Sequence, residues 1–225
     1  MGIIADNLKR VQETIEETLN KTGRKDSVTL IAVTKTVDPE RINEAIEAGV
    51  KIIGENRVQE ARDKFDKIKK GVTWHLIGHL QRNKVKHALP IFSMIQSIDK
   101  VETVREIERR AQKPVDILIE INSSGEESKY GVHPDQVFKL VDEILEYKMI
   151  NIKGIMTVGP LTTDEKEIRK AFSLTRKKFD KIKDRYKGLD IIYLSMGMSG
   201  DYPIAIEEGS NMVRVGTAIF GPRNY

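Results

Sequence analysis

The sequence predicts a single-domain α/β protein, a (β/α)8 TIM barrel with an extra N-terminal helix. Eight short apolar or β-branched segments recur along the chain, and amphipathic stretches with helical spacing separate them. No linker, low-complexity tract or shift in composition divides residues 1–225, so we assign the whole range to one domain. An open, doubly wound parallel sheet is the alternative, which the number of strands disfavours.

The predicted elements follow one another in a regular order. One stripe of the first helix is apolar, as expected of an element that lies over a barrel end or packs at its side, and carries Ile4, Leu8, Val11, Ile15 and Leu19. The predicted strands are Thr29–Val33, Lys51–Gly54, Trp74–Ile77, Met94–Ile98, Val115–Ile121, Lys153–Thr157, Asp190–Ser195 and Met212–Val215. Caps indicate helix starts at Asp38 with Pro39, at Asp99 three residues before Glu102, and at Thr162 three residues before Glu165.

The composition excludes several classes of protein. The absence of cysteine excludes disulfides, thiolate metal sites and thiol nucleophiles, and it agrees with a reducing compartment. The formal charge of +4 comes from 38 basic residues interleaved with 34 acidic ones, so we expect no nucleic-acid partner. No uncharged apolar run approaches the ~20 residues of a membrane helix, and the N-terminus has no signal core. We expect a cytoplasmic protein without membrane contact, either a monomer or a weak dimer.

Lys35 is the candidate nucleophile at the end of the first strand. In barrels of this kind the active face is formed by the C-terminal ends of the strands. Strand alternation places Lys35 on the side of Ile31 and Val33, which faces the barrel interior if those residues belong to the core. Desolvation favours the neutral amine, the form that attacks an aldehyde. The alternative is that Lys35 turns to solvent or pairs with Glu55.

A phosphate site is predicted after the last two strands. Residues 195–200 (SMGMSG) and Gly216 with Thr217 combine glycines, which let backbone amides approach an anion, with hydroxyl donors. The loops after the seventh and eighth strands often hold phosphate in TIM barrels. Glycines that serve only as tight turns are the alternative. Arg214 projects toward the same region, where it reaches a ring nitrogen or phosphate, or else forms a structural ion pair.

Two further features concern metal binding and the loop after the fifth strand. His75, His79 and His87 do not form a recognised metal-ligand spacing, so we expect no metal site. The sequence of the loop Lys129–His133, after the fifth strand, is compatible with either a mobile lid or a plain connection.

The whole chain resembles the family of pyridoxal phosphate homeostasis proteins, single-domain relatives of the alanine racemase barrel. The matching segments are LIAVTKT (30–36), GENRVQEA (54–61), WHLIGHLQRNK (74–84), GEESKYGV (125–132), IKGIMT (152–157) and LSMGMSGDYPIAIEEGSNMVRVGTAIFG (194–221). Together they span nearly the full length. Arg57 stands where the family often has an aromatic residue, so the resemblance does not predict the outer lining of the site.

The resemblance implies pyridoxal 5'-phosphate as the cofactor, held as a Schiff base on Lys35. The implied cofactor-binding residues are Lys35, Asn56, Met196, Met198, Ser199, Arg214, Gly216 and Thr217. In the family's arrangement Ser199, Gly216 and Thr217 hold the phosphate. Arg214 faces the pyridine nitrogen, Asn56 lies near the ring, and the two methionines help to line the pocket.

The resemblance further implies a binding protein that acts in pyridoxal phosphate homeostasis, by buffering or delivery, with no catalytic residues. Apo forms of enzymes that use this cofactor are its candidate recipients. The alternative is a racemase or decarboxylase that uses the same linkage. Racemases of similar fold carry a second, β-rich domain, whereas here only Ala218–Tyr225 follow Gly216 and Thr217 at the end of the last predicted strand. A third hypothesis is a Schiff-base aldolase acting on a sugar phosphate.

Overall fold

The computed structural model describes residues 2–126 and 129–222, which form a closed barrel of eight parallel strands. The strands are β1 (Thr29–Val33), β2 (Ile52–Glu55), β3 (Thr73–Leu76), β4 (Met94–Ile98), β5 (Val115–Glu120), β6 (Ile150–Met156), β7 (Tyr193–Ser195) and β8 (Met212–Val215). Each strand pairs with the next, and β1 closes the barrel on β8 with Ile31 opposite Arg214. The predicted TIM-barrel fold is confirmed.

Helices surround the barrel between the strands. They are α1 (Ile3–Lys21), α2 (Pro39–Glu47), α3 (Val58–Phe65), α4 (Val85–Ala88), α5 (Val101–Arg110), α6 (Val137–Ile144), α7 (Glu165–Arg185), α8 (Tyr202–Glu207) and α9 (Thr217–Phe220). The predicted extra helix is α1, which packs against α2, α8 and α9. Asn7 Nδ2 on α1 donates to the Ile219 carbonyl at 3.0 Å. Among the residues described, we find no helix with the length and apolarity needed to cross a membrane.

Strand alternation divides the apolar residues into two layers. A small cluster fills the barrel interior and comprises Ile31, Met94, Leu118, Met156 and Met212. A much larger cluster lies between the sheet and the helices and includes Ala32, Ile117 and Val213, which neighbour interior residues in sequence. Successive side chains on a strand point to opposite faces, so Arg214 follows Met212 into the interior.

The predicted helix starts are partly correct. Pro39 occupies the first turn of α2 after Asp38, as expected. The predicted cap at Asp99 is wrong, because Lys100 is still extended and helix α5 begins only at Val101. The predicted cap at Thr162 is also displaced. Asp164 caps α7 by accepting from the Lys166 amide at 2.8 Å, while the Thr162 hydroxyl accepts from the Asp164 amide and shapes the preceding turn.

Strand β6 begins at Ile150, earlier than predicted, and contains an irregularity at Lys153. Ile117 pairs with Ile152 but Leu118 pairs with Gly154, so Lys153 has no counterpart on β5. Gly154 has a φ of 153°, and a Cβ there would lie 1.9 Å from the carbonyl oxygen of Tyr193 on β7. Only glycine allows the two strands to approach so closely.

Candidate functional site

Lys35 lies at the mouth of the barrel, just beyond the end of β1. It is half-buried and lines a cavity of about 200 Å³ together with Val33, Gly216 and Thr217. The neighbouring strands β1 and β8 bring these residues together, since Ala32 pairs with Val215 one step before the turn at Gly216. The structure therefore brings the candidate nucleophile and part of the candidate phosphate site into one cavity.

Glu55, which the sequence offered as a partner for Lys35, is engaged elsewhere. Its carboxylate accepts from the Thr34 hydroxyl at 2.7 Å and forms an ion pair with Lys64 at 3.1 Å. Burial raises the pKa of Glu55, and the charge of Lys64 opposes that increase. The ion pair of this buried carboxylate is thus with the lysine of α3.

The candidate phosphate loops are joined by the hydroxyl of Ser199. Its Oγ accepts from the backbone amides of Gly216 at 3.1 Å and Ala218 at 3.2 Å. The loop that carries Ser199 is fixed by Asp201, whose carboxylate accepts from the Met198 amide at 2.6 Å. In the structure these two amides thus donate to the hydroxyl, and backbone amides and hydroxyls are the kinds of group that bind an anion in proteins.

Arg214 is buried inside the barrel and its hydrogen bonds go to neutral groups. One guanidinium nitrogen donates to Ser195 Oγ and the other to the Thr157 carbonyl, both at 2.7 Å. Burial lowers the pKa of Arg214 to about 10, against the influence of Glu120 and Asp201. The guanidinium therefore remains charged at neutral pH and can only donate hydrogen bonds.

A hydrogen-bonded chain continues from Arg214 across the barrel. Ser195 Oγ donates to Gln96 Oε1 at 2.7 Å, and Gln96 Nε2 lies 3.0 Å from His75 Nδ1. Burial lowers the pKa of His75 to about 4, so this imidazole is neutral and accepts through Nδ1. His75 thus belongs to a structural chain. The described part of the chain contains no group of three or more His, Asp or Glu residues placed to hold a metal ion.

Glu120 is a site residue that the sequence reasoning missed. It ends β5 with 6% of its surface exposed. Burial and the charge of Asp99 raise its pKa to about 7, while Arg214 opposes the increase. Strand alternation from Leu118, an interior residue, could have placed Glu120 inside the barrel.

The other residues implied by the resemblance lie in different environments. Asn56 directly follows β2 and is half-buried, and Gly78 packs so closely that a Cβ there would lie 2.5 Å from the Asn56 carbonyl oxygen. Arg57 is exposed at the start of α3. Met198 is exposed at the mouth. Met196 is fully buried between the sheet and the helices, so it does not line an accessible pocket.

The loop Lys129–His133 contacts the loops after β3 and β6. The rings of Tyr130 and His79 stack with centroids 4.1 Å apart and planes 9° apart. Lys129 Nζ donates to Glu126 at 2.6 Å and to the Gly159 carbonyl at 3.1 Å. These contacts give the loop a defined position, whereas residues 127–128 of the GEESKYGV segment lie outside the described residues.

Comparisons with known proteins agree with the barrel fold. The family model described as "Alanine racemase, N-terminal domain" matches residues 4–224. A pyridoxal phosphate homeostasis protein of Aquifex aeolicus is 39% identical, over 98% of each chain.

Two solved structures are also similar over nearly the full length. An unknown protein from Bifidobacterium adolescentis superposes with a TM-score of 0.90 at 39% identity, covering 96% of this chain and 94% of that one. PipY of Synechococcus elongatus PCC7942, solved with pyridoxal phosphate bound, gives a TM-score of 0.86 at 30% identity and covers 97% and 100% of the two chains.

Proposed function

This chain belongs to the family of pyridoxal phosphate homeostasis proteins, and we propose that it holds pyridoxal 5'-phosphate covalently through the Lys35 amine. We propose further that it buffers this cofactor in the cytoplasm or delivers it to apo enzymes, without efficient catalysis of its own. The observation that carries the proposal is the cavity that Lys35 shares with Gly216 and Thr217. A cysteine-free sequence agrees with a reducing compartment.

The chemistry of the donor set fits the cofactor. When bound, the cofactor supplies an aldehyde that reacts with a primary amine and a phosphate that requires several donors. In our proposal Ser199, Gly216 and Thr217 hold the phosphate. Asn56 lies near the ring in this proposal, and Met198 helps to line the pocket.

Arg214 faces the ring nitrogen in this proposal. Because its guanidinium is charged and can only donate, it disfavours protonation of that nitrogen and weakens the ring as an electron sink. This effect agrees with storage of the cofactor, but racemases of similar fold share the feature, so it does not by itself distinguish the two functions.

The first test is the covalent linkage. The purified protein, incubated with pyridoxal phosphate and reduced with borohydride, should carry the adduct on Lys35, and Lys35→Ala should abolish it. Lys25→Ala, at an exposed position, is the matched control and should leave the adduct intact. An adduct on another lysine would refute the assignment. Absence of any cofactor-like visible band would reopen the aldolase hypothesis.

The second test concerns the phosphate. Charge-assisted bonds from amides and hydroxyls should make pyridoxal phosphate bind much more tightly than pyridoxal. Ser199→Ala should narrow that difference, since it removes the hydroxyl that joins the two loops. Equal affinities of the wild type for the two compounds, measured by spectral titration, would contradict the assignment of these loops.

A racemase or decarboxylase is the second candidate function, and Glu120 is the observation that favours it. A carboxyl group with a pKa of about 7 is suited to accept and return protons near neutral pH. Incubation of the loaded protein with L-alanine in deuterium oxide separates the two candidates. A homeostasis protein should exchange the Cα proton no faster than free pyridoxal phosphate does. Multiple turnovers per protein would establish the racemase instead.

A further inference from the structure

The segment that carries Lys35 has a strained backbone. Thr36, the next residue, has a φ of 60°, and the other positive φ angles of the described residues belong to glycines. A β-branched residue is rarely found in the left-handed region, and it keeps that conformation only where surrounding contacts hold it. The conformation next to Lys35 therefore depends on groups outside the segment.

Three hydrogen bonds from α3 and β2 hold this segment. The Thr36 amide donates to Glu60 Oε1 at 2.5 Å. Lys64 Nζ donates to the Thr34 carbonyl at 2.8 Å. The Thr34 hydroxyl donates to Glu55 at 2.7 Å. Both neighbours of Lys35 are thus held from the same side.

Lys64 connects these contacts. Besides the Thr34 carbonyl, its ammonium donates to Glu55 at 3.1 Å and to Glu60 at 2.6 Å, so all three of its protons have acceptors. The Lys64 side chain is 11% exposed and that of Glu55 is fully buried. Buried ion pairs of this kind often add little to stability relative to apolar residues, because desolvation of the charges offsets their attraction. Orientation of the Lys35 segment accounts for the arrangement better.

We propose that Glu60 and Lys64 are positioning residues for Lys35. They hold residues 34–36 in the strained conformation that directs the Lys35 amine into the cavity shared with Gly216 and Thr217. The inference rests on the proposed function, because its consequence is the rate at which the Lys35 amine reacts with an aldehyde.

The experiment compares Glu60→Ala with Glu60→Gln. The side-chain amide oxygen of glutamine can still accept from the Thr36 amide, whereas alanine cannot. We expect Glu60→Ala to slow formation of the borohydride-trapped Lys35 adduct roughly 10- to 100-fold, and Glu60→Gln to restore most of the rate. Lys64→Met should slow it similarly. Lys69→Met, which removes an exposed ion pair with Glu47, is the control and should react at the wild-type rate.

A second measurement needs no cofactor. Hydrogen exchange of the Thr36 amide in the apo protein should be faster in Glu60→Ala than in wild type and Glu60→Gln, at equal global stability. If wild type forms no Lys35 adduct, the proposed function fails while the exchange result still tests the contact. If wild type reacts and Glu60→Ala matches it in both rate and exchange, the positioning role is refuted. Should Glu60→Ala not fold, Lys64→Met decides by the rate of adduct formation, and a wild-type rate in Lys64→Met would refute the positioning role.

Discussion

Glu120 lies where the interior of the barrel meets its mouth, and its ionisation is linked to folding. Its pKa is raised from 4.5 to about 7, with burial as the main cause. The folded protein therefore takes up a proton between these two values that the unfolded chain has already lost. Since protonation favours the folded state in this window, stability falls as the pH rises through it.

Glu120→Gln should remove this effect, because glutamine keeps the shape of the side chain without the charge. We expect the free energy of unfolding to rise by about 1–3 kcal/mol at pH 8 and to change little near pH 4. Urea unfolding of wild type and variant at the two pH values measures the difference. Exposed Glu146→Gln is the control and should have little effect at either pH. An equal gain in the free energy of unfolding at both pH values would mean that the gain does not come from removing the charge of Glu120.

The buried chain from Arg214 to His75 yields a prediction at the same scale. Gln96→Leu removes the acceptor of Ser195 and the donor to His75 at once, leaving buried polar atoms unpaired. We expect a loss of about 2–4 kcal/mol in the free energy of unfolding. Gln59→Leu, on the exposed face of α3, should cost little. Retention of wild-type stability by Gln96→Leu would show that this chain of hydrogen bonds contributes nothing to the free energy of unfolding.

The positions of Lys35 just after β1 and of Arg214 on β8 could be predicted, because strand ends and strand alternation are visible in the apolar pattern of the sequence. Sequence reasoning missed Glu120 because its environment depends on Asp99, just after β4, and on Arg214 of β8, which are distant in sequence. The contacts of Lys64 were likewise out of reach. They join three elements that only the closed barrel brings together, and the spacing of α3 alone predicts an ordinary surface lysine.

At the scale of elements, the alternation of strands and helices was predictable because period-2 and period-3.6 patterns differ plainly along this chain. The boundaries of the strands and helices were less predictable. Ile150 belongs to β6 only because Val115 on β5 pairs with it, a contact that local pattern does not encode. The start of α7 was displaced because Thr162 and Asp164 are both good capping residues, and in the structure Asp164 caps the helix while Thr162 serves the preceding turn.

The close approach of β6 and β7 gives a prediction for these two strands. Gly154→Ala would force a Cβ against the Tyr193 backbone, which cannot move without breaking the strand pairing. We expect the free energy of unfolding to fall by at least about 2 kcal/mol. Gly188→Ala is the matched control, since a Cβ there meets nothing within 4 Å. Thermal and urea unfolding measure both variants, and equal stability of the two would contradict the prediction.

At the scale of the whole molecule, the seam between β1 and β8 joins distant parts of the sequence. Lys35 lies beyond the β1 side of the seam, and Gly216 lies beyond the β8 side. A ligand that bonds to the first and is held by the second would bridge the seam. Its binding energy would therefore oppose any opening of the barrel at this point.

Because bound pyridoxal phosphate would bridge the seam, we can predict which backbone amides it protects from hydrogen exchange. With pyridoxal phosphate at about 100 times its dissociation constant, amides along the β1–β8 seam should be protected by up to about 2.7 kcal/mol more than in the apo protein, wherever they exchange through opening of the seam. Amides of the β4–β5 pairing are the internal control and should change less. Equal protection of both pairings would mean that the ligand stabilises the fold only globally.

The same seam orders events during synthesis. Lys35 leaves the ribosome long before the strand and turn that complete its cavity, so the emerging chain carries the amine without the donors that would retain the phosphate. Stable loading must await β8. A tightly held cofactor would then mark a molecule whose first and last strands have met, and a truncated or unclosed chain would be recognisable by its inability to keep one.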